Sequence, residues 1–182
     1  MKRNETNHVY KIRDLITEDM ISHIKLGLSK LSDFNVKEVY ADWNFENETG
    51  LVIAVSEEGI AEELEIWPEG VDKEDFQNEV IDLSTKGQKA PGSTEIYWLN
   101  NRTLLIKRTE IFVQIEKELI KNGFIEELKL AKRPLEYRLI RQSALETILK
   151  REIMETFVDW NFEDDKGYMV LILKPQKHDS LD

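Results

Sequence analysis

Asp42-Trp43-Asn44-Phe45-Glu46, with Gly50 closing the loop after it, is repeated further along the chain as Asp159-Trp160-Asn161-Phe162-Glu163, with Gly167 at the same distance. An apolar run follows at once in both copies, Leu51 to Val55 and Tyr168 to Leu173. Before the first copy, Val39, Ala41, Trp43 and Phe45 alternate with polar or acidic neighbours. That period of two is the signature of a strand with one face buried. Each copy therefore reads as a β-hairpin whose polar tip ends in glycine, and the glycine is expected to supply a positive φ. Trp and Phe, two apart, share a face and are expected to pack a core, while Asp and Asn share the other. Asp42, Trp43, Phe45, Gly50, Asp159, Trp160, Phe162 and Gly167 are thus expected to be structural.

Working outward, Val9 to Arg13 reads as a short strand or lead-in. Thr17 reads as the N-cap of a helix carrying Met20, Ile21, Ile24, Leu28 and Leu31 on one face. Asp33 to Asn35 breaks that helix. Between the hairpins, Leu64, Ile66 and Trp67 suit a short strand, and Asp72 suits the cap of a helix with Phe76, Val80 and Ile81. Ser84 to Ser93 reads as a loop and an internal boundary. A further hairpin spans Glu95 to Lys107 around Asn100-Asn101, and a helix with Ile111, Phe112, Ile115 and Leu119 ends at Asn122-Gly123. For 125–152 two readings stand: a strand from Leu135 to Ile140 before a helix, or one long helix opened by Pro134. Tyr10-Lys11-Ile12 resembles Tyr137-Arg138-Leu139, although the first lies further from its Trp.

The expected fold is α+β: a single domain of internally duplicated helix-plus-β-hairpin units, forming a mainly antiparallel sheet with helices packed on one side. The halves run from about 9–83 and 94–174, with 175–182 a flexible tail. At the level of fold, the layout resembles effector-binding domains built from two β-α-β-β halves. That likeness implies a small-molecule sensor with a ligand between the halves and Trp43, Trp160 or Tyr97 lining the cleft. It does not by itself give a function.

Charge is distributed unevenly. The 182 residues carry a net charge of −11. From Glu57 to Asp82 there are eleven acids against the single base Lys73, a net −10 in 26 residues. From Asn101 to Arg151 twelve bases face seven acids. An acidic balance disfavours binding to phosphate backbones, and it favours encounter with a basic protein. Glu62, Glu63, Glu65, Trp67, Glu69, Asp72, Glu74, Asp75 and Glu79 are the expected partner-binding residues, with Trp67 as an aromatic anchor. Phe76 is the other aromatic of the segment. Lys129, Lys132, Arg133, Arg138 and Arg141 form a weaker basic run, interrupted by Glu126, Glu127 and Glu136.

Chemistry finds little footing. The chain has no cysteine, which removes disulfides, thiolate nucleophiles and cysteine-ligated zinc. Its three histidines, His8, His23 and His178, accompany no nucleophile elbow. Lys86-Gly87-Gln88-Lys89 lacks the glycine spacing of a phosphate loop. Asp159, Asn161, Glu163, Asp164 and Asp165 crowd oxygens together but do not follow a calcium-loop order. No cofactor and no metal are expected. The N-terminal residues lack the apolar stretch of a secretory signal, and no run is long enough to span a membrane. The resulting expectation is a soluble, cytoplasmic, non-enzymatic acidic binding protein, of the immunity or antitoxin type, that inhibits a basic partner such as a toxin. A small-molecule sensor is the alternative, and an enzyme with a carboxylate site a weaker one.

Overall fold

In the computed structural model, residues 2–31, 35–56 and 67–176 are described, and within the first helix the side chains of 9, 11–13, 15–17, 19–28 and 30. The chain divides into two compact units, Met1–Ile60 and Ala61–Asp182. It is α+β, with antiparallel sheets of two and four strands.

The first unit holds helix α1 (Lys2–Leu31), strand β1 (Val36–Asn44) and strand β2 (Thr49–Ser56). Val9 to Arg13 is helical, not a strand, and Thr17 lies mid-helix. The apolar spacing at Val9, Ile12, Ile16 and Met20 runs on into Ile24 and Leu28, and no proline interrupts it, so one helix extends through both segments. Ile21, Ile24 and Leu28 are half-buried. The Lys25 ammonium donates to the Lys37 carbonyl at 2.8 Å, and the buried Arg13 guanidinium lies 3.6 Å from the buried Asp42 carboxylate. α1 therefore covers the Asp42 face of the hairpin.

The second unit holds α2 (Lys73–Gly87), β3 (Ser93–Asn100), β4 (Thr103–Thr109), α3 (Gln114–Lys121), α4 (Ile125–Gln142), α5 (Leu145–Leu149), β5 (Ile153–Asn161) and β6 (Lys166–Leu173). Its sheet has the order β3-β4-β6-β5. One core gathers Phe76, Val80 and Leu83 of α2, Ile140 of α4, and Leu145 and Leu149 of α5 onto the sheet face carrying Trp98, Leu104, Trp160 and Met169. Helices cover this face of the sheet, as the apolar patterns require.

Several expectations change. The two hairpins belong to separate sheets rather than one, because β4 pairs with β6 while β2 has β1 as its neighbour among the described residues. α2 continues through Ser84 and Thr85, whose hydroxyls donate back to the carbonyls of Val80 and Ile81 at 2.9 and 2.7 Å; that back-bonding lets polar residues stay helical. Leu135 to Ile140 is helical, and Pro134 sits inside α4 rather than at its start. A break at Ser143 then separates α4 from the single turn of α5. Ile115 points to solvent at 67% exposure, and Glu116 takes the inward position of α3. The strand expected at Leu64 and Ile66 and most of the 175–182 tail lie outside the described residues. Trp67 is described and is not in a strand.

The duplicated motif builds the same hairpin twice. Trp43 stands opposite Gly50 and Asn44 opposite Thr49; Trp160 stands opposite Gly167 and Asn161 opposite Lys166. The Asn side chain closes each turn. Asn44 Oδ1 accepts from the amides of Glu46 and Asn47, and Asn161 Oδ1 from those of Glu163 and Asp164. Even the register shifts correspond, at Val36/Glu38 and Ile153/Glu155. The positive φ, however, falls on Glu48 (55°) and Asp165 (51°), not on the glycines. The glycines are needed for another reason. A Cβ on Gly50 would lie 2.6 Å from the Trp43 ring, and one on Gly167 would lie 2.7 Å from Ile111 and 3.2 Å from Trp160. The indole of each hairpin occupies the space that a side chain would fill.

Surroundings distinguish the copies. Trp160 is 4% exposed and Trp43 37%. Phe162 stacks on Phe112 with ring centroids 5.3 Å apart, whereas Phe45 is 42% exposed. The expectation that Trp43 and Phe45 fill a core is corrected: α1 lies on the Asp42 face of its hairpin, while the core of the second unit lies on the Trp160 face.

Candidate functional site

The acidic segment is described from Trp67 onward; Glu62, Glu63 and Glu65 lie outside the described residues. Asp72 caps α2, its carboxylate accepting from the Asp75 amide at 3.0 Å. That places Glu74 and Asp75 in the first turn, where the helix dipole favours negative charge. The helix buries Phe76, Val80 and Leu83 and leaves residues 72–75 exposed. Sequence periodicity anticipates this division.

The side chains of the segment have separate duties. Trp67 is half-buried, edge-on to Phe76 at 5.6 Å and to Trp98 at 6.1 Å, with the Lys73 ammonium 5.9 Å from its ring. Both aromatics of the segment therefore join the core. Glu79 accepts from the Ala144 amide at 2.8 Å, at the start of α5. The Lys150 ammonium, at the end of α5, donates to the Gly70 carbonyl at 2.8 Å, fixing the loop that carries Glu69. What remains is Glu69, in the loop before α2, and Glu74 and Asp75, in its first turn, all exposed.

Sequence reasoning did not find the buried polar network of the second unit. Glu116 receives three donors: Lys132 at 2.8 Å, the Gln88 amide at 3.0 Å and the Val113 backbone at 2.9 Å. Arg108 donates to Glu136 at 2.7 Å and to Ser84 at 3.0 Å. Lys132 also lies 4.9 Å from the Phe112 ring centre and 5.3 Å from that of Trp160. Burial pushes the Lys132 ammonium below the usual lysine value; the fields of Glu136 and Glu116 oppose this without cancelling it. The cavity beside these groups, about 10 Å³, has room for no more than a water. The network joins α2, β4, α3 and α4. A weak signal existed in the alternation of β4, where Arg108 follows Leu104 and Ile106 on the inward side. Lys132 and Arg133 are buried, which removes two of the five residues of the supposed basic face.

Of the oxygens crowded after Trp160, those of Asn161, Asp164 and Asp165 are already engaged. Asp165 accepts from the Phe112 amide at 2.8 Å and pairs with Lys117 at 2.9 Å. Asp164 pairs with Lys166 at 2.8 Å, and Asn161 closes the turn. No group of three or more metal-binding side chains assembles among the described residues. Beside this turn lies an open groove of about 200 Å³, with Phe112, Phe162 and Ile120 as its apolar wall and Lys121 and Glu163 among its polar lining. Small-molecule sites commonly enclose about 300 Å³ or more. No helix among the described residues is long and apolar enough to cross a membrane. Comparison with protein-family models, curated proteins and solved structures finds no match to this chain.

Proposed function

We propose that this is a non-enzymatic acidic binding protein that works in the cytoplasm by engaging a basic partner protein. The supporting observation is the division of labour in the acidic segment. Asp72 and Glu79 hold the fold, the aromatics enter the core, and Glu69, Glu74 and Asp75 are left exposed within seven residues of sequence. The finer reading is an immunity or antitoxin-type inhibitor, whose carboxylates stand in for the phosphates of a nucleic acid in the cationic groove of a toxin. The partner surface is then centred on Glu69, Glu74 and Asp75 rather than Trp67. Dense like charge of this kind raises association rates and makes binding salt-sensitive.

The test uses Glu69→Lys, Glu74→Lys and Asp75→Lys together, with Asp72 and Glu79 kept so that α2 and α5 stay capped. Exposed ion pairs contribute about 0.2–1 kcal/mol each, so reversing three is expected to weaken capture of the partner by at least about tenfold at low salt. Capture unchanged by this variant and by added salt would sink the reading.

The groove against Phe112 and Phe162 favours the sensor reading only for a ligand smaller than about 200 Å³. A thermal-shift rise with small aromatic or zwitterionic compounds, lost in Phe162→Ala, would support it. The matched register, Asn-closed turns and positive-φ positions of the two hairpins also support descent from a duplicated helix-plus-hairpin unit.

A further inference from the structure

α1 carries two apolar stripes and uses one of them on its own hairpin. Arg13, Ile21, Ile24 and Leu28 lie on the covered side. Val9, Ile12, Leu15, Ile16, Met20 and Leu26 are all exposed, between 46% and 61%. At a helical 100° per residue these six fall within an arc beside the covered stripe. Half-exposed side chains of this size present roughly 100 Å² each, so the open stripe amounts to ~600 Å², the upper end of the largest apolar patch on a typical monomer. Two such stripes facing each other would bury ~1,200 Å², the size at which specific protein–protein interfaces begin.

We propose that α1 is a self-association helix, and that a second copy of this chain covers the open stripe with its own α1, antiparallel, about a two-fold axis near the middle of the stripe. A two-fold pairing uses the same patch on both partners and closes on itself. Charge selects the direction. Antiparallel pairing about that axis sets Val9 beside Leu26, Leu15 beside Met20 and Asp19 beside Ile16 of the other helix. Parallel pairing would place Asp19, which lies on the stripe side, against its own copy.

Sedimentation of the full chain at micromolar concentration tests this. A dimer is expected, and Ile12→Glu/Ile16→Glu should abolish it while the circular dichroism stays that of the native chain. A monomeric native chain overturns the proposal, as does a dimer that survives the double substitution with its helix content intact. Should that variant unfold, cysteine chemistry decides, because the native chain has none. Under oxidation, an equal mixture of Ile12→Cys and His23→Cys chains is expected to cross-link to each other and not to themselves. Cross-linking of each variant only to itself, or no cross-linking at all, overturns the antiparallel pair.

Discussion

Gly50 and Gly167 show how one residue type at one motif position meets two environments. Each yields its space to a tryptophan across the strand pair, but the neighbours differ in freedom. At Gly167 an added methyl meets Ile111, which is fully buried, and Trp160, which is 4% exposed. Neither can retreat, so Gly167→Ala is expected to cost about 1–3 kcal/mol, the usual range for overpacking a filled core. At Gly50 the nearest atoms to the methyl are all in the ring of Trp43, which is 37% exposed and can swing outward; Gly50→Ala is expected to cost less than ~1 kcal/mol. Urea denaturation of the two variants measures the difference. Glu95 supplies a pH handle on the same scale. Burial pushes its carboxyl up, but the Tyr97 hydroxyl and the Lys107 ammonium outweigh burial and hold it below the ordinary value of 4.5. A lowered carboxylate pKa stabilises the fold above 4.5, and that contribution is lost as the pH falls through the folded-state value. Lys107→Met is expected to raise the Glu95 pKa and to shrink the acid-side loss of stability, which side-chain carboxyl NMR and unfolding below pH 5 can follow.

At the scale of elements, the buried Lys132–Glu116 contact joins α3 to α4, and Gln88 adds the end of α2. Lys132→Met would leave Glu116 buried without its cation. Such half-removed pairs cost about 3–5 kcal/mol, more than the intact pair contributes over an apolar substitute. The double variant Lys132→Met/Glu116→Gln is expected to recover about half of the loss, because a neutral amide can still accept from the Val113 amide. A double-mutant cycle by urea denaturation checks both figures. This network was not legible in the sequence. A lysine and a glutamate sixteen residues apart on two helices look like ordinary surface charges until packing brings them together. The cap of α2 was legible, because Asp72 and the helix it closes are local neighbours and the bond forms wherever that helix forms. α1 was misread at its start because Val9 to Arg13 is too short to separate a period of two from one of 3.6.

For the whole molecule, the uneven charge was visible in the sequence, and the structure sorted its described members into those that hold the fold and those left exposed. The repeated motif determined by itself that two like hairpins form, with the same register, the same asparagine-closed turn and the same opposition of Trp to Gly. All of these are set by residues within a few positions of one another, where backbone sterics and local hydrogen bonds act without help from the rest of the chain. Only the tertiary structure decided what covers each hairpin. In one copy helices and a third strand bury the tryptophan side; in the other a helix lies on the aspartate side and the tryptophan is open. Which face is buried depends on non-local partners whose apolar area must be matched as a whole, and the five residues of the motif carry no information about them.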